Sequence, residues 1–559
     1  MFVNLAIAAL LALLQGTPPA PSATPLPTSS PAPSPSPVVS PTPAAHLSAQ
    51  PFVADHLYPS GVLSIAIANS ARPINAAIDN PIVTWTIDQN VHTVTITAGQ
   101  TLGRAVLTIS DGSGQRVLIP VRVANDAAKL LSQSLTLQYT GNPVDPAWLQ
   151  KVVQQTVLSN VELQPGAAQA QTTFNLPALA PGSVGAFDAQ VQVPGSDTYY
   201  PANALVNVNL QNVVAQTFAP PVLFYDDDPE HIATEGVLYR GHIDPATPVR
   251  LYYYHDNSGQ PRDLAVVFSA PSGSSTVQLI DVPGGPNIDV MQVGHAVTRD
   301  FLSRKPINEG LVVTIAPESP YIAERFKMQP LSGAAGTIDV HILSGGALDV
   351  TVLAVAPRTP DSAVAGLLTQ PKLPGDGHHR TGVFNVNGYA QDTLAYRVGG
   401  DDASLDYGLH SPPTVEPPDG RDFGEYGVWR TLNFNVTNPS PQAVTLYLYE
   451  QPMGGPVRSN FLVTAAGATL STEINCARAS EHYQIGAPIT APPGASTVQL
   501  QTMTDGGSFY PLEVGLTATP PSPNPPPIAA PNGCFPKTQA SPQASPQPTS
   551  SPLPEPTGR

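Results

Sequence analysis

Between residues 47 and 124 apolar and polar side chains alternate with a period of two. IVTWTID (82–88), HTVTITAG (92–99), RAVLTISDGSG (104–114) and QRVLIPVRV (115–123) each read as a half-buried strand with one apolar face. Asp111-Gly112-Ser113-Gly114 predicts a hairpin turn, because glycine supplies the positive φ such turns need. The period changes at VDPAWLQKVVQQTV (144–157), which predicts a helix. Asp145 is placed as its N-cap and Pro146 at its first position, with Leu149, Val152 and Val153 on one apolar face. Alternation returns in AFDAQVQV (186–193) and ALVNVNLQNV (204–213), so residues 125–218 read as a small β-domain with one helix. GHAVTRDFLSRK (294–305) predicts a short helix with Val297, Phe301 and Leu302 inward and His295 as a capping or surface residue.

Residues 219–518 read as two copies of one β-sandwich, 219–360 and 361–518. RLYYYHDNSGQPRDLAVVFSAPSG (250–273) and TLNFNVTNPSPQAVTLYLYEQPMG (431–454) are both strand, Asn-led turn, strand and Pro-x-Gly exit. Asn257, Pro271 and Gly273 recur as Asn438, Pro452 and Gly454, each 181 positions on. DVHILSGGALDVTVLAV (339–355) parallels QLQTMTDGGSFYPLEVGL (499–516), with Gly345-Gly346 and Gly506-Gly507 as matching turns. TEGVL (234–238) has an echo in RTGVF (380–384), and the second copy carries an insertion around 392–426.

The ends have a different composition. LAIAALLALL (5–14) is too short to span a bilayer and suits a signal peptide over residues 1–16; an uncleaved anchor is the alternative. Residues 17–46 and 519–559 are Pro/Ser/Thr-rich and read as disordered, extended spacers. With 66 prolines, 44 glycines and only 12% charged residues, the chain suits strands joined by many turns. Its net charge of −17, and the lack of any Lys or Arg before Arg72, argue against nucleic-acid binding. No stable membrane span is expected after signal cleavage. The location expected is secreted, periplasmic or cell-surface. An oxidising compartment would permit a bridge between the only two cysteines, Cys476 and Cys534; two free thiols are the alternative.

TVTITAGQTLGRAVLTISDGSGQRVLIPVRV (93–123) resembles the bacterial Ig-like domain, which implies that fold for residues 47–124 and says nothing of a ligand. DDDPEHIATEGVLYRG (226–241) and EYGVWRTLNFNVTNPS (425–440) resemble an exported bacterial family catalogued only as a domain of unknown function. That second resemblance spans residues 219–518. It implies an exported, β-rich, non-enzymatic protein and transfers no catalytic residue.

Candidate chemistry is sparse. In GDGHHRTG (375–382), Asp376, His378 and His379 are the residue types of a transition-metal site, and a metal-dependent enzyme using this loop is one reading. No HExxH or similar second element accompanies them, and the flanking Pro and Gly favour an exposed turn. DDDPEH (226–231) offers Asp226 and Asp228 to a structural calcium, without the spacing of an EF-hand; its plainer reading is a solvated acidic linker. Adjacent strand residues face opposite ways, so YYY (252–254) should expose at least one ring, and Tyr252 and Tyr254 become candidates for stacking on sugars. Trp85, Trp148 and Trp429 sit in apolar contexts and read as core.

The sequence therefore predicts an all-β chain of tandem β-sandwich domains, Ig-like first, with one short helix in the second unit. No catalytic residue and no cofactor beyond a structural calcium is expected. The leading function is non-enzymatic: a cell-envelope or extracellular adhesion or scaffold protein that binds a cell-wall or extracellular polysaccharide or protein. A carbohydrate-binding or carbohydrate-active secreted protein is the first alternative.

Overall fold

The computed structural model describes residues 45–378, 380–478, 481–524 and 534. The signal peptide and most of both Pro-rich tails lie outside the described residues. The chain divides into two compact units at Val123/Ala124.

The first unit is an Ig-like sandwich of two four-stranded sheets. One is ordered Ser48–Gln50, Val62–Ala68, Thr93–Ala98, Val83–Asp88; the other is Ala54–Leu57, Arg116–Val123, Gly103–Ser110, Asn75–Ile78. The inward set from the alternation, including Ile65, Val94, Ile96, Leu107, Ile109 and Ile119, is fully buried. The Asp111 side chain organises the expected turn by accepting from the backbone N–H groups of Ala71, Ser113 and Gln115. A side chain at Gly112 would sit 2.1 Å from the Arg72 carbonyl oxygen, so this turn position requires glycine.

From Ala124 onward the repeat is realised strand for strand. The first copy runs β1 (Val222–Asp226), β2 (Gly236–Ile243), β3 (Val249–Asn257), β4 (Arg262–Ser269), β5 (Ser275–Asn287), β6 (Gly310–Ile315), β7 (Tyr321–Met328), β8 (Gly333–Gly345) and β9 (Leu348–Val355). The second runs β10 (Gln391–Arg397), β11 (Ala403–Tyr407), β12 (Arg430–Asn438), β13 (Val444–Pro452), β14 (Val457–Ala465), β15 (Ala468–Ala477), β16 (Tyr483–Ala491), β17 (Gly494–Thr502) and β18 (Leu512–Thr517). One face of the first copy is β6-β5-β8-β3-β1 and the other β2-β9-β4-β7; the second copy repeats both orders as β15-β14-β17-β12-β10 and β11-β18-β13-β16. Even the unusual pair is kept: β1 runs parallel to β3, and β10 parallel to β12.

The matching asparagines show why the pattern recurs. Asn257 donates to the carbonyls of Gln260 and Met328 and accepts from Gly259 N. Asn438 donates to the carbonyls of Gln442 and Ala491 and accepts from Ser440 N. Each ties its hairpin to the neighbouring strand connection. Either Asn→Ala change leaves buried carbonyls without a donor and should cost about 1–3 kcal/mol. Thermal melts of the two variants should show similar losses.

Strand pairing crosses the segment boundaries expected at 218 and 361. The first copy's longer face is the middle of a twelve-stranded sheet. On one side β6 pairs with Ser134–Thr140, which continues to Ala202–Asn212, Val184–Val193 and Gln171–Thr173. On the other, β1 pairs with Thr381–Asn385, which pairs with Thr414–Glu416. RTGVF is therefore an extra strand beside β1 rather than the counterpart of TEGVL, whose β2 corresponds to β11. Five-residue hairpin ends are too short to carry that distinction in sequence.

Helix α1 (Pro146–Ser159) is capped by Asp145, which accepts from Ala147 N, and buries Trp148, Leu149, Val152, Val153 and Val157. Helix α2 (Val290–Arg304) sits between β5 and β6, where the second copy has only the Ala466-Gly467 turn between β14 and β15. It packs on β5 and β8 and also on β14 of the other copy. The approach is close: a Cβ on Gly294 would lie 2.1 Å from the Gly506 carbonyl oxygen.

Candidate functional site

The residues singled out in the sequence do not form one site. Tyr252 and Tyr254 are buried, at 2% and 5% exposure, and Tyr253 is fully buried. The alternation of faces is present, but β3 is an inner strand covered on both sides. Tyr253 enters the first sandwich core, while Tyr252 and Tyr254 join a second cluster with Tyr225, Tyr426 and Met503. The Gly506-Gly507 turn of the second copy lies against both rings, which leaves no stacking surface for a sugar.

The acidic loops satisfy themselves. Asp226 Oδ2 lies 3.0 Å from His255 Nε2, both side chains are fully buried, and His255 Nδ1 lies 2.9 Å from the Pro229 carbonyl. A carbonyl only accepts, so Nδ1 carries a proton and a second is shared between Nε2 and Asp226. Burial alone would lower the His255 pKa; the charge and hydrogen bond of Asp226, with Asp227 and the Pro229 carbonyl, together outweigh it and the net shift is upward. Asp228 Oδ1 accepts from Asp376 N at 2.5 Å. Asp376 Oδ1 accepts from His378 N and lies 2.8 Å from His378 Nδ1, and its other oxygen faces Arg380. Burial opposes ionisation of Asp376, but these donors hold its pKa well below the usual carboxylate range. His379 lies outside the described residues. Among the described residues no group of three or more His, Cys, Asp or Glu converges to hold a metal. Asp226, Asp228, Asp376 and His378 act in this structure as partners that close their loops.

His295 is also corrected from the surface to the interior. It is 1% exposed, and its Nδ1 is 2.6 Å from Asp505 Oδ2, across the contact between α2 and the second copy. Cys476 and Cys534 face each other at bridging separation, with Cα atoms 5.5 Å apart.

A pocket of 420 Å³ opens where the two copies meet. Arg250, the second residue of β3, and Thr431, the second residue of β12, occupy the same position of the repeat, and both line it. Their cross-strand partners are Asp339 on β8 and Gln501 on β17. The first copy thus places an ion pair where the second places an uncharged Thr–Gln pair, whose side chains are 3.5 Å apart. The rest of the wall includes Trp429, Asn387, Gln391, Val428, Thr217 and Lys305, which follows α2. Trp429 is half-buried, with an edge-to-face contact to Phe301, so the expectation that it is core holds for only part of the ring.

The floor is charged. Arg250 Nε and Nη2 donate to the two oxygens of Asp339 at 2.6 and 3.1 Å. Its Nη1 donates to the Gly427 carbonyl, and the guanidinium lies 4.7 Å from the Phe301 ring centroid. Lys305 Nζ is 2.6 Å from Asp339 Oδ2 and 3.7 Å from the Phe218 centroid. Burial opposes the Asp339 charge, but Arg250 and Lys305 prevail and lower its pKa. Burial lowers the pKa of Lys305, with Asp339 offsetting part of the shift.

No protein-family model matches the chain, and no curated protein matches it. The likeness of residues 219–518 to an uncharacterised exported family thus has no family match behind it. Among solved structures, the chain is similar to domains 6–7 of the surface layer protein SbsC at 9% identity, covering 30% of this chain and 98% of that one, with a TM-score of 0.12. It is similar to InvD of Yersinia pseudotuberculosis at 11% identity, covering 61% and 90%, with a TM-score of 0.14. A third is the Bacteroides ovatus protein SGBP-B of a mixed-linkage glucan utilization locus, solved with a mixed-linkage heptasaccharide, at 11% identity, covering 53% and 70%, with a TM-score of 0.13. Likeness at these TM-scores carries no inference about ligand or partner.

Proposed function

We propose that this chain is an exported cell-envelope or extracellular protein that acts by binding, and that it holds a saccharide in the pocket between its two sandwich copies. The observation that carries this reading is the lining itself. A half-buried indole, Trp429, stands among the amide and hydroxyl groups of Asn387, Gln391, Thr431 and Gln501. That combination suits a sugar, which offers an apolar ring face to an aromatic surface and hydroxyls to amides. The cavity is within the range of roughly 300–1,000 Å³ usual for small-ligand sites. The carboxylate below it, Asp339, is clamped ionised by two cations and has no proton to donate, which favours binding over acid catalysis. A Cys476–Cys534 bridge suits an oxidising compartment. Among the described residues no helix is long and apolar enough to cross a membrane.

A glycan array probed with the full chain, followed by calorimetry on the hits, tests the reading. Trp429→Ala should weaken binding by about tenfold or more, at roughly 1.4 kcal/mol per decade, with unchanged circular dichroism. An array on which nothing binds, or a ligand indifferent to Trp429, would end the proposal.

A further inference from the structure

A second cavity, of 460 Å³, opens on the first copy, where the segment leaving β9 turns back over the start of β4 and the end of β7. Four cations line it, Arg262, Arg325, Lys327 and Arg358, against two carboxylates, Asp263 and Asp361. Arg325 engages both carboxylates and donates to the Thr359 carbonyl, which pins the segment to the sheet. Arg262 is 6% exposed and donates from Nε to the Gln260 carbonyl; among the described residues it has no carboxylate partner. Lys327 and Arg358 are exposed, and among the described residues neither side chain has an ion-pair or hydrogen-bond partner. The lining thus carries two excess positive charges, on a chain whose net charge is −17.

The fold does not require these charges. Asn257 donates to the Met328 carbonyl and Asn438 to that of Ala491, so the two acceptors hold equivalent places in the repeat. Across the ladder Met328 faces Arg262, whereas Ala491 faces Val444. One residue earlier Lys327 faces Asp263, whereas Thr490 faces Thr445. The second copy closes the same hairpin with no ion at any of these positions. Arg358 adds an independent sign. Its φ is +68°, in the left-handed region where a side chain strains the backbone and glycine is favoured. An Arg held in that conformation points to a use for its guanidinium.

We propose that this cavity binds a phosphate monoester as the dianion, reached by Lys327 and Arg358. Two negative charges match the local excess, and a guanidinium fork beside an ammonium suits phosphate oxygens. The site is separate from the pocket between the copies, and its test does not depend on the saccharide reading.

The test is calorimetry on the full chain at low salt with inorganic phosphate, glycerol 1-phosphate and dimethyl phosphate. The first two should bind about tenfold or more tightly than the dimethyl phosphate monoanion, and high salt should weaken them. Equal affinity for ion and monoester marks free phosphate as the source, and tighter binding of the monoester marks a phosphorylated chain; either upholds the site. Lys327→Ser combined with Arg358→Gly should weaken binding about tenfold or more. Both side chains are exposed and glycine relieves the backbone at 358, so the melting temperature of this variant should not fall. Failure of glycerol 1-phosphate to bind the unaltered protein at millimolar concentration overturns the inference, and that measurement needs no variant to fold. Binding that the double variant retains in full, or dimethyl phosphate bound as tightly as the monoester, overturns it too.

Discussion

Asp339→Ala should destabilise the part of the chain beyond Val123 by about 3–5 kcal/mol, because it removes the carboxylate that stands between two buried cations. The Asp339 side chain is fully buried, and those of Arg250 and Lys305 are 7% and 12% exposed. With the carboxylate gone, both cations stay largely buried and meet water only through the pocket they line. The remaining interaction is repulsion between guanidinium and ammonium. Urea and thermal unfolding followed by tryptophan fluorescence would report the loss, since Trp429 lies beside the affected floor. Asp339→Asn keeps the shape and part of the hydrogen bonding and should fall between the two. Adding Arg250→Met and Lys305→Met to Asp339→Ala should restore much of the stability, because no unpaired charge is then left buried. A shift under about 1 kcal/mol for Asp339→Ala would mean that water already reaches this floor.

The second large effect is a pH dependence. Glu450 on β13 is fully buried, and neither carboxyl oxygen has a hydrogen-bond partner of good geometry. Burial pushes its pKa from 4.5 to about 8, with the Ser459 hydroxyl opposing and the Asp505 charge adding to the rise. The folded state therefore keeps a proton that the unfolded chain has lost above pH 4.5. The associated stability is fully present below pH 4.5, declines as pH rises towards 8, and is gone above it. Over that window Glu450 alone accounts for a loss on the order of 5 kcal/mol, at about 1.4 kcal/mol per pH unit. Glu309, raised from 4.5 to about 7, works in the same direction over a narrower window. Melting temperatures measured from pH 4.5 to 9 should fall steadily for the natural protein and clearly less for Glu450→Gln. The variant should be the more stable of the two at pH 9. Parallel curves for the two proteins would show that Glu450 is hydrated and ordinary.

Much of the architecture was legible because period-two alternation is a direct imprint of a sheet with one dry face. Residues 82–123 and 431–438 carry that imprint clearly. The Asn-led turns carry a second signal, because a buried Asn that closes a hairpin has few substitutes. Legibility failed where position in the sheet, rather than pattern, decides exposure. Tyr252 and Tyr254 alternate as read, but β3 is an inner strand with the other copy seated on it, so neither face is wet. RTGVF could not be told from TEGVL because strands this short share the same residue types. The pocket was missed because its parts are scattered over nearly 300 positions, from Thr217 to Gln501. One trace of it was present: Arg250 and Asp339 are charges set between apolar neighbours, in VRL and IDV, which in an inner strand is a reason to look for a partner across the ladder.

The extra strands Thr381–Asn385 and Thr414–Glu416 have an evolutionary consequence. One precedes the second copy in the chain and the other falls within it, between β11 and β12, yet both are hydrogen-bonded into the sheet of the first. A genetic exchange cutting anywhere between residues 360 and 420 would strip an edge from one partner or burden the other with an orphan. Tandem sandwiches usually shuffle like beads, and this pair has given up that freedom and must be inherited whole.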